Sequence, residues 1–115
     1  MTSPFVKFKI QPTNNINSSS VVIFGKAANT TLTSLVDSIL LTNLTQNVIV
    51  VSLSFFRASK YYILANQVSI EAYGNVDVLV GSTLTFEPGD MLYASSNYSS
   101  NVFNSFVSYR ELTGN

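Results

Sequence analysis

The sequence predicts an all-β protein, an antiparallel β-sandwich of immunoglobulin-like or jelly-roll-like type, with seven to eight short strands in one domain over residues 1–115. Three observations carry that expectation. Apolar residues recur at every second position, the period of a half-buried strand rather than of a helix. The apolar runs are rich in β-branched and aromatic residues. Clusters of Gly, Pro, Asn and Ser interrupt them about every ten residues, the spacing of sandwiches and barrels. A chain of this size buries roughly two thirds of its unfolded surface, enough for a core without staples.

Taken in order, FVKFKI alternates, with Val6, Phe8 and Ile10 on one side and Lys7 and Lys9 on the other. Residues 1–20 therefore read as an N-terminal strand or arm followed by a polar loop, TNNINSSS, over Thr13–Ser20. VVIF is a second strand. TSLVDSILLTN fits a strand better than a short helix, because Leu35, Ile39 and Leu41 fall closer to a two-residue period. In NVIVVSLSFF, Ile49, Val51, Leu53 and Phe55 share a face opposite Val48, Val50, Ser52 and Ser54. FRASKYY reads as a hairpin with Arg57 and Lys60 at its solvent end and aromatic doublets pairing across the strands. STLTF and MLYAS flank the next corner, and VFNSFVSY supplies the last strand. Residues 112–115 should fray. Breaks are expected at QPTNN, GKAANT, NLTQN, FRASK, AYGN, VGST, EPGD and SSNYSSN.

Composition narrows function by what it lacks. The chain has no His, Cys or Trp. Without His it lacks the usual general base at neutral pH. Without His and Cys it lacks the ligands of ordinary zinc, copper or iron sites. An enzyme is not expected, nor a metal or cofactor. Charged residues are 10% of the chain and the formal net charge is zero, against about 25% charged in typical soluble domains. Ser, Thr and Asn, numbering 17, 10 and 12, do the polar work. A neutral, charge-poor surface favours association, so a homo-oligomer is expected. Lys7, Lys9, Lys26, Arg57, Lys60 and Arg110 are scattered and form no basic stripe for nucleic acid. The N-terminus shows no apolar core of a secretory signal, and no run approaches the ~20 apolar residues of a membrane span. The sequons at Asn17, Asn29, Asn43 and Asn97 are expected to go unused.

FEPGD carries the one local arrangement that resembles a site. Glu87 and Asp90 bracket Pro88-Gly89. Proline fixes φ near −65° and glycine accepts positive φ, so the pair suits the centre of a type II turn, with Asp90 free to bond backbone amides. Two carboxylates are too few for calcium, and nothing local would split their pKa values for acid/base work. Pro88, Gly89 and Asp90 are therefore assigned to a structural turn. Phe5, Phe8, Phe56 and Tyr62 are the candidate partner interface: the first two on an arm able to add to a neighbour's sheet edge, the others as exposed members of aromatic doublets. Tyr73, Tyr93 and Tyr98 raise a sugar-stacking alternative, weakened by the lack of Trp.

An ordered set of signals resembles a group of small tailed-phage virion proteins. It runs through Leu41–Thr45 (an NxT after a strand), Val48–Phe55, Tyr61–Ile70 (YYILANQVSI), Phe86–Ser96 (FEPGDMLYASS) and Ser108–Glu111. The likeness covers about residues 20–112, with Glu71-Ala72 where the group often has Pro-Ala. It implies a β-sandwich without catalysis or cofactor: a capsid decoration protein on the head exterior, made in the host cytoplasm and partnered by the major capsid protein and itself. A neck, tail or baseplate component is the alternative, and a receptor- or glycan-binding module a further one.

Overall fold

A computed structural model describes the backbone of residues 5–26 and 33–113, and the side chains of 9–26 and 33–111. Nine strands occur among them: β1 (Phe5–Ile16), β2 (Val21–Gly25), β3 (Thr33–Asn43), β4 (Ile49–Arg57), β5 (Lys60–Ile70), β6 (Asn75–Asp77), β7 (Leu84–Phe86), β8 (Met91–Ser96) and β9 (Phe103–Thr113). One sheet has the order β1-β9-β3-β6, with β7 also on β3; the other is β2-β8-β4-β5. All pairings are antiparallel.

The pairings nest. β1 pairs with β9, β2 with β8, β3 with β6 and β7, and β4 with β5. One antiparallel ribbon therefore folds back on itself at the β4–β5 turn, and successive rungs alternate between the two sheets. That is the jelly roll, so the sandwich is of this type and not immunoglobulin-like. The ninth strand arises because the segment facing β3 is broken. β6 pairs with Leu40–Thr42 and β7 with Ser34–Val36, and residues 78–83 loop out between them. A register shift at Asp37 of β3 falls in the same gap.

On β4 the core is built from the face that the alternation identified; on β3 the register shift at Asp37 leaves Leu35 on the outer side and puts Val36 with Ile39 and Leu41 in the core. Ile49, Val51 and Leu53 of β4 and Val36, Ile39 and Leu41 of β3 are fully buried between the sheets. An aromatic cluster closes one end. Phe86 meets Phe24 edge-on at 4.9 Å and Phe55 at 5.1 Å, and Tyr109 lies 4.6 Å from Phe24. Rings at these distances add attraction beyond the area they bury.

Three local expectations need correction. Thr13–Ile16 is not loop but the end of β1, which continues through a bulge with Asn15 at φ 58°. Asn104 Oδ1 accepts from the Asn15 N–H there, replacing a ladder bond. Leu112 and Thr113 are not frayed: they pair with Val6 and Phe5 in the β1–β9 ladder. The sidedness of β1 is also reversed from the simple reading. Ile10 is 64% exposed on the outer face, while Lys9 pairs opposite Tyr109 and reaches Glu111 at 2.9 Å. At this rim the inward-directed side of β1 carries an ion-paired lysine, and the apolar Ile10 is on the outer face.

The NxT signal has a structural explanation. Asn43 is buried, and its Nδ2 donates to the carbonyls of Asn47, Ile70 and Glu71 at 2.7, 3.1 and 2.9 Å. Its Oδ1 accepts from the Thr45 N–H and Oγ1 at 2.8 and 2.9 Å. One amide thus ties the end of β3, the β3–β4 turn and the end of β5 together. Both of its amide protons are committed, shared among the three carbonyls, which bars this sequon from glycosylation in the folded chain.

Candidate protein-interaction face

The FEPGD corner is a turn that is locked from outside. Gly89 has φ 91°, and the Asp90 N–H donates to the Glu87 carbonyl at 3.0 Å, as a type II turn requires. Pro88, Gly89 and Asp90 therefore take their expected places. Asp90 does more than decorate the turn. It is 2% exposed, and its carboxylate accepts from the Glu87 N–H at 2.7 Å and from Arg57 Nε at 3.0 Å. Arg57 Nη2 donates to the same carboxylate, and the Asp90 hydrogen bond is the main reason the guanidinium's pKa is raised. Arg57 is thus not a free charge at the hairpin tip. It lies over the Phe55 ring at 5.0 Å and links β4 to the β7–β8 corner. Glu87 is 61% exposed and only 3.9 Å from Arg57. Of the two carboxylates, one is a keystone and the other a surface group.

A cleft of about 340 Å³ lies between β2 and the β1–β9 rim, lined by Gln11, Phe24, Lys26, Ser34, Tyr109 and Glu111 among others. Its charges are already spent on each other. Lys26 Nζ and Lys9 Nζ each donate to Glu111 at 2.9 Å. These two hydrogen bonds hold the Glu111 pKa below its ordinary value, and the Glu111 bond raises that of Lys9. No group of three or more carboxylates able to hold a metal occurs among the described residues.

The outward faces of the two sheets differ in chemistry. On the first sheet, Ile10 and Phe106 are exposed, but the Arg110–Asp37 ion pair at 2.7 Å stands beside them. The hydrogen bond to Asp37 raises the Arg110 pKa. On the second sheet, cross-strand register aligns two rows with no charge in either. One row reads Val22, Tyr93, Ser54, Ile63 across β2, β8, β4 and β5; the next reads Gly25, Met91, Phe56, Tyr61. Tyr61 is 65% and Ile63 71% exposed. Phe56 and Tyr61 rings meet at 4.7 Å, and Tyr61 and Tyr93 at 5.7 Å. Desolvation among these neighbours is the first cause of the raised Tyr93 pKa.

The expected interface residues are not brought together. Phe56 stands on this uncharged outer face. Tyr62 pairs with Phe55, whose ring faces the core, so it occupies the opposite side of β5 and is exposed only because β5 is the sheet's edge. The side chains of Phe5 and Phe8 lie outside the described residues; their backbones pair with Thr113 and Arg110 in the chain's own first sheet. Tyr61, Ile63, Val22, Met91 and Tyr93, none of them in the expected interface set, stand with Phe56 on this face. The hairpin register was the missing signal: the turn is only Ala58-Ser59, both at positive φ, so Arg57 pairs with Lys60 and Phe56 with Tyr61. The two positive φ values mark a type I′ turn, which sequence signals normally through Asn-Gly. The sugar-stacking set is also dispersed, since Tyr98 packs against the core while Tyr93 faces outward.

No protein-family model and no curated protein matches the chain. Among solved structures, a chain from Bacillus endospore appendages, described as a novel family of disulfide-linked pili, aligns over 99% of this chain and 93% of its own at TM-score 0.58 and 8% identity. A chain of the T13 IBDV viral particle aligns over 94% of this chain and 30% of its own at TM-score 0.55 and 10% identity. A pentameric capsid protein isolated from metagenomic phage sequences covers 90% and 60% at TM-score 0.40 and 16% identity, too loose to support an argument. The first two likenesses establish a shared fold. The cysteine-free chain has no means of forming the disulfide links of the pili.

Proposed function

We propose that this protein is a structural part of a virus particle: a decoration, or cement, protein on the exterior of a phage head that bridges neighbouring capsid subunits through many weak contacts. The observation that carries this reading is the uncharged outer face of the second sheet, two cross-strand rows of apolar and hydroxyl groups on a chain of zero formal charge. A contiguous apolar sheet face is built to be covered by protein. The jelly roll is a fold that capsid proteins use, and the ordered signals of the sequence resemble those of small tailed-phage virion proteins. Multivalency on a repeating lattice makes weak single contacts sufficient. No step of this role calls for an acid, a base or a metal.

Copy number tests the proposal. Densitometry of purified particles should find the protein in proportion to the major capsid protein. A copy number equal to a single ring's complement would instead assign it to the neck, tail or baseplate.

A further inference from the structure

We infer that the uncharged face of the second sheet is a self-association surface, covered in solution by the same face of a second copy in a two-fold dimer. The proposed function has this same face meet capsid subunits, so the dimer is the free form and opens on docking; the inference itself does not depend on a virion location.

Chemistry decides among occupants. A sugar site needs directional polar groups to select hydroxyls, and a small number of placed polar groups is what ordinarily orients a ligand. The two rows offer only the Ser54 and Tyr hydroxyls, and their most exposed member, Ile63, is an aliphatic with nothing to give a sugar. A nucleic acid or anionic surface would need cations, and neither row contains one. A charged protein partner is normally met by complementary charge, which supplies specificity and steering. This face has no sign to complement. A surface of apolar and hydroxyl groups alone is complementary to itself, and two copies with zero formal charge do not repel.

The size also fits. Tyr61, Ile63 and Val22, with the half-buried Phe56, Met91 and Tyr93, expose roughly 400 Å² of mainly apolar surface per copy, taking aromatic side chains at 150–250 Å² each. Two such patches give about 800 Å². Standard interfaces bury about 1,600 Å² in total, of which a little over half is apolar. The patch is therefore large enough to form the apolar centre of one isologous contact, the commonest symmetric arrangement. The seryl hydroxyls of Ser52 and Ser95, in the register row beyond Ser54, supply polar rim.

Sedimentation velocity of the purified full chain across a concentration series tests the inference. A reversible dimer is expected. Ile63→Asp, at a position with little burial to lose, should weaken dimerisation at least ~100-fold by burying like charges across the axis, while circular dichroism stays unchanged. Tyr61→Ser should weaken it in the same direction. Ile10→Asp, on the opposite outer face, should not. Because the chain lacks cysteine, Ser54→Cys should also give oxidised cross-linked dimers under conditions where Ser38→Cys on the other sheet gives none. A wild-type chain that is monomeric at all concentrations overturns the inference. So does a dimer indifferent to Ile63→Asp, a dimer broken by Ile10→Asp, or a monomer that binds an arrayed glycan through Tyr61.

Discussion

The Arg57–Asp90 pair should show that the cost of breaking an ion pair depends on which partner is left behind. Asp90 is 2% exposed, whereas the Arg57 side chain is 40% exposed. In Asp90→Ala the orphaned guanidinium turns to water, and the main loss is the acceptor for the Glu87 N–H together with screened charge-assisted bonds. About 2 kcal/mol is expected, between the ≤1 kcal/mol of an exposed pair and the 3–5 kcal/mol of a buried one. In Arg57→Met the stem over Phe55 is kept, but a buried carboxylate loses its counter-charge and retains only one amide donor. That places the cost at about 3–4 kcal/mol, in the range for leaving a buried charge unpaired. The double variant should cost less than the sum, because neither orphan remains. With unfolding entropy near 2.1 cal/mol/K per residue, each kcal/mol corresponds to about 4 °C in a chain of this length. The variants should thus melt about 8 °C and 12–16 °C below wild type. Urea unfolding at fixed protein concentration, with m-values compared to check two-state behaviour, gives the free energies. Glu87→Gln is the control and should cost under ~0.5 kcal/mol. If Arg57→Met proves no more costly than Asp90→Ala, the burial argument is wrong.

Two other perturbations follow from the polar groups that tie the sheets. Asn43→Ala leaves three carbonyls and the Thr45 amide without their partner and should cost about 3 kcal/mol or more in urea unfolding; Asn43→Asp, which sets a carboxylate against those carbonyls, should fare no better. Glu111 has a pKa depressed below its ordinary 4.5 by its bonds to Lys9 and Lys26. Its contribution is therefore present above pH ~4.5 and lost as pH falls through the lower folded-state value. Stability measured from pH 7 down to 3 should fall in that window, and Glu111→Gln should flatten the fall.

Much of the fold was legible because strand pairing and half-burial leave a two-residue signature. The buried run Ile49, Val51, Leu53 is the clearest case; TSLVDSILLTN is a strand as expected, but the shift at Asp37 puts Val36 rather than Leu35 in the core with Ile39 and Leu41. The type II corner was legible too, since Pro88 and Gly89 each have one physical use there. Where the reading failed, a partner distant in sequence was the cause. Lys9 shares the side of Tyr109 and pairs with Glu111, 102 residues away, a partner that alternation within β1 does not reveal. Thr13–Ile16 stayed in the sheet because β9 offered bonds to a polar strand. The Arg57 side chain folded back from the hairpin tip because Asp90, just before the neighbouring strand β8 of the same sheet, took up its guanidinium.

By itself, then, the sequence determined that the chain is all-β, that its polar work falls to hydroxyls and amides rather than charges, and where several of its corners lie. These are properties of local covalent geometry and composition. Only the tertiary structure decided that the ribbon rolls into a jelly roll, that one carboxylate of FEPGD is buried and the other exposed, and that Val22, Tyr93, Ile63, Met91, Phe56 and Tyr61 stand together. Those six residues come from four strands up to 71 positions apart, and their alignment depends on hairpin and inter-strand register. Alternation assigns a residue to a face; it takes the completed set of pairings to say which faces meet and which remain open.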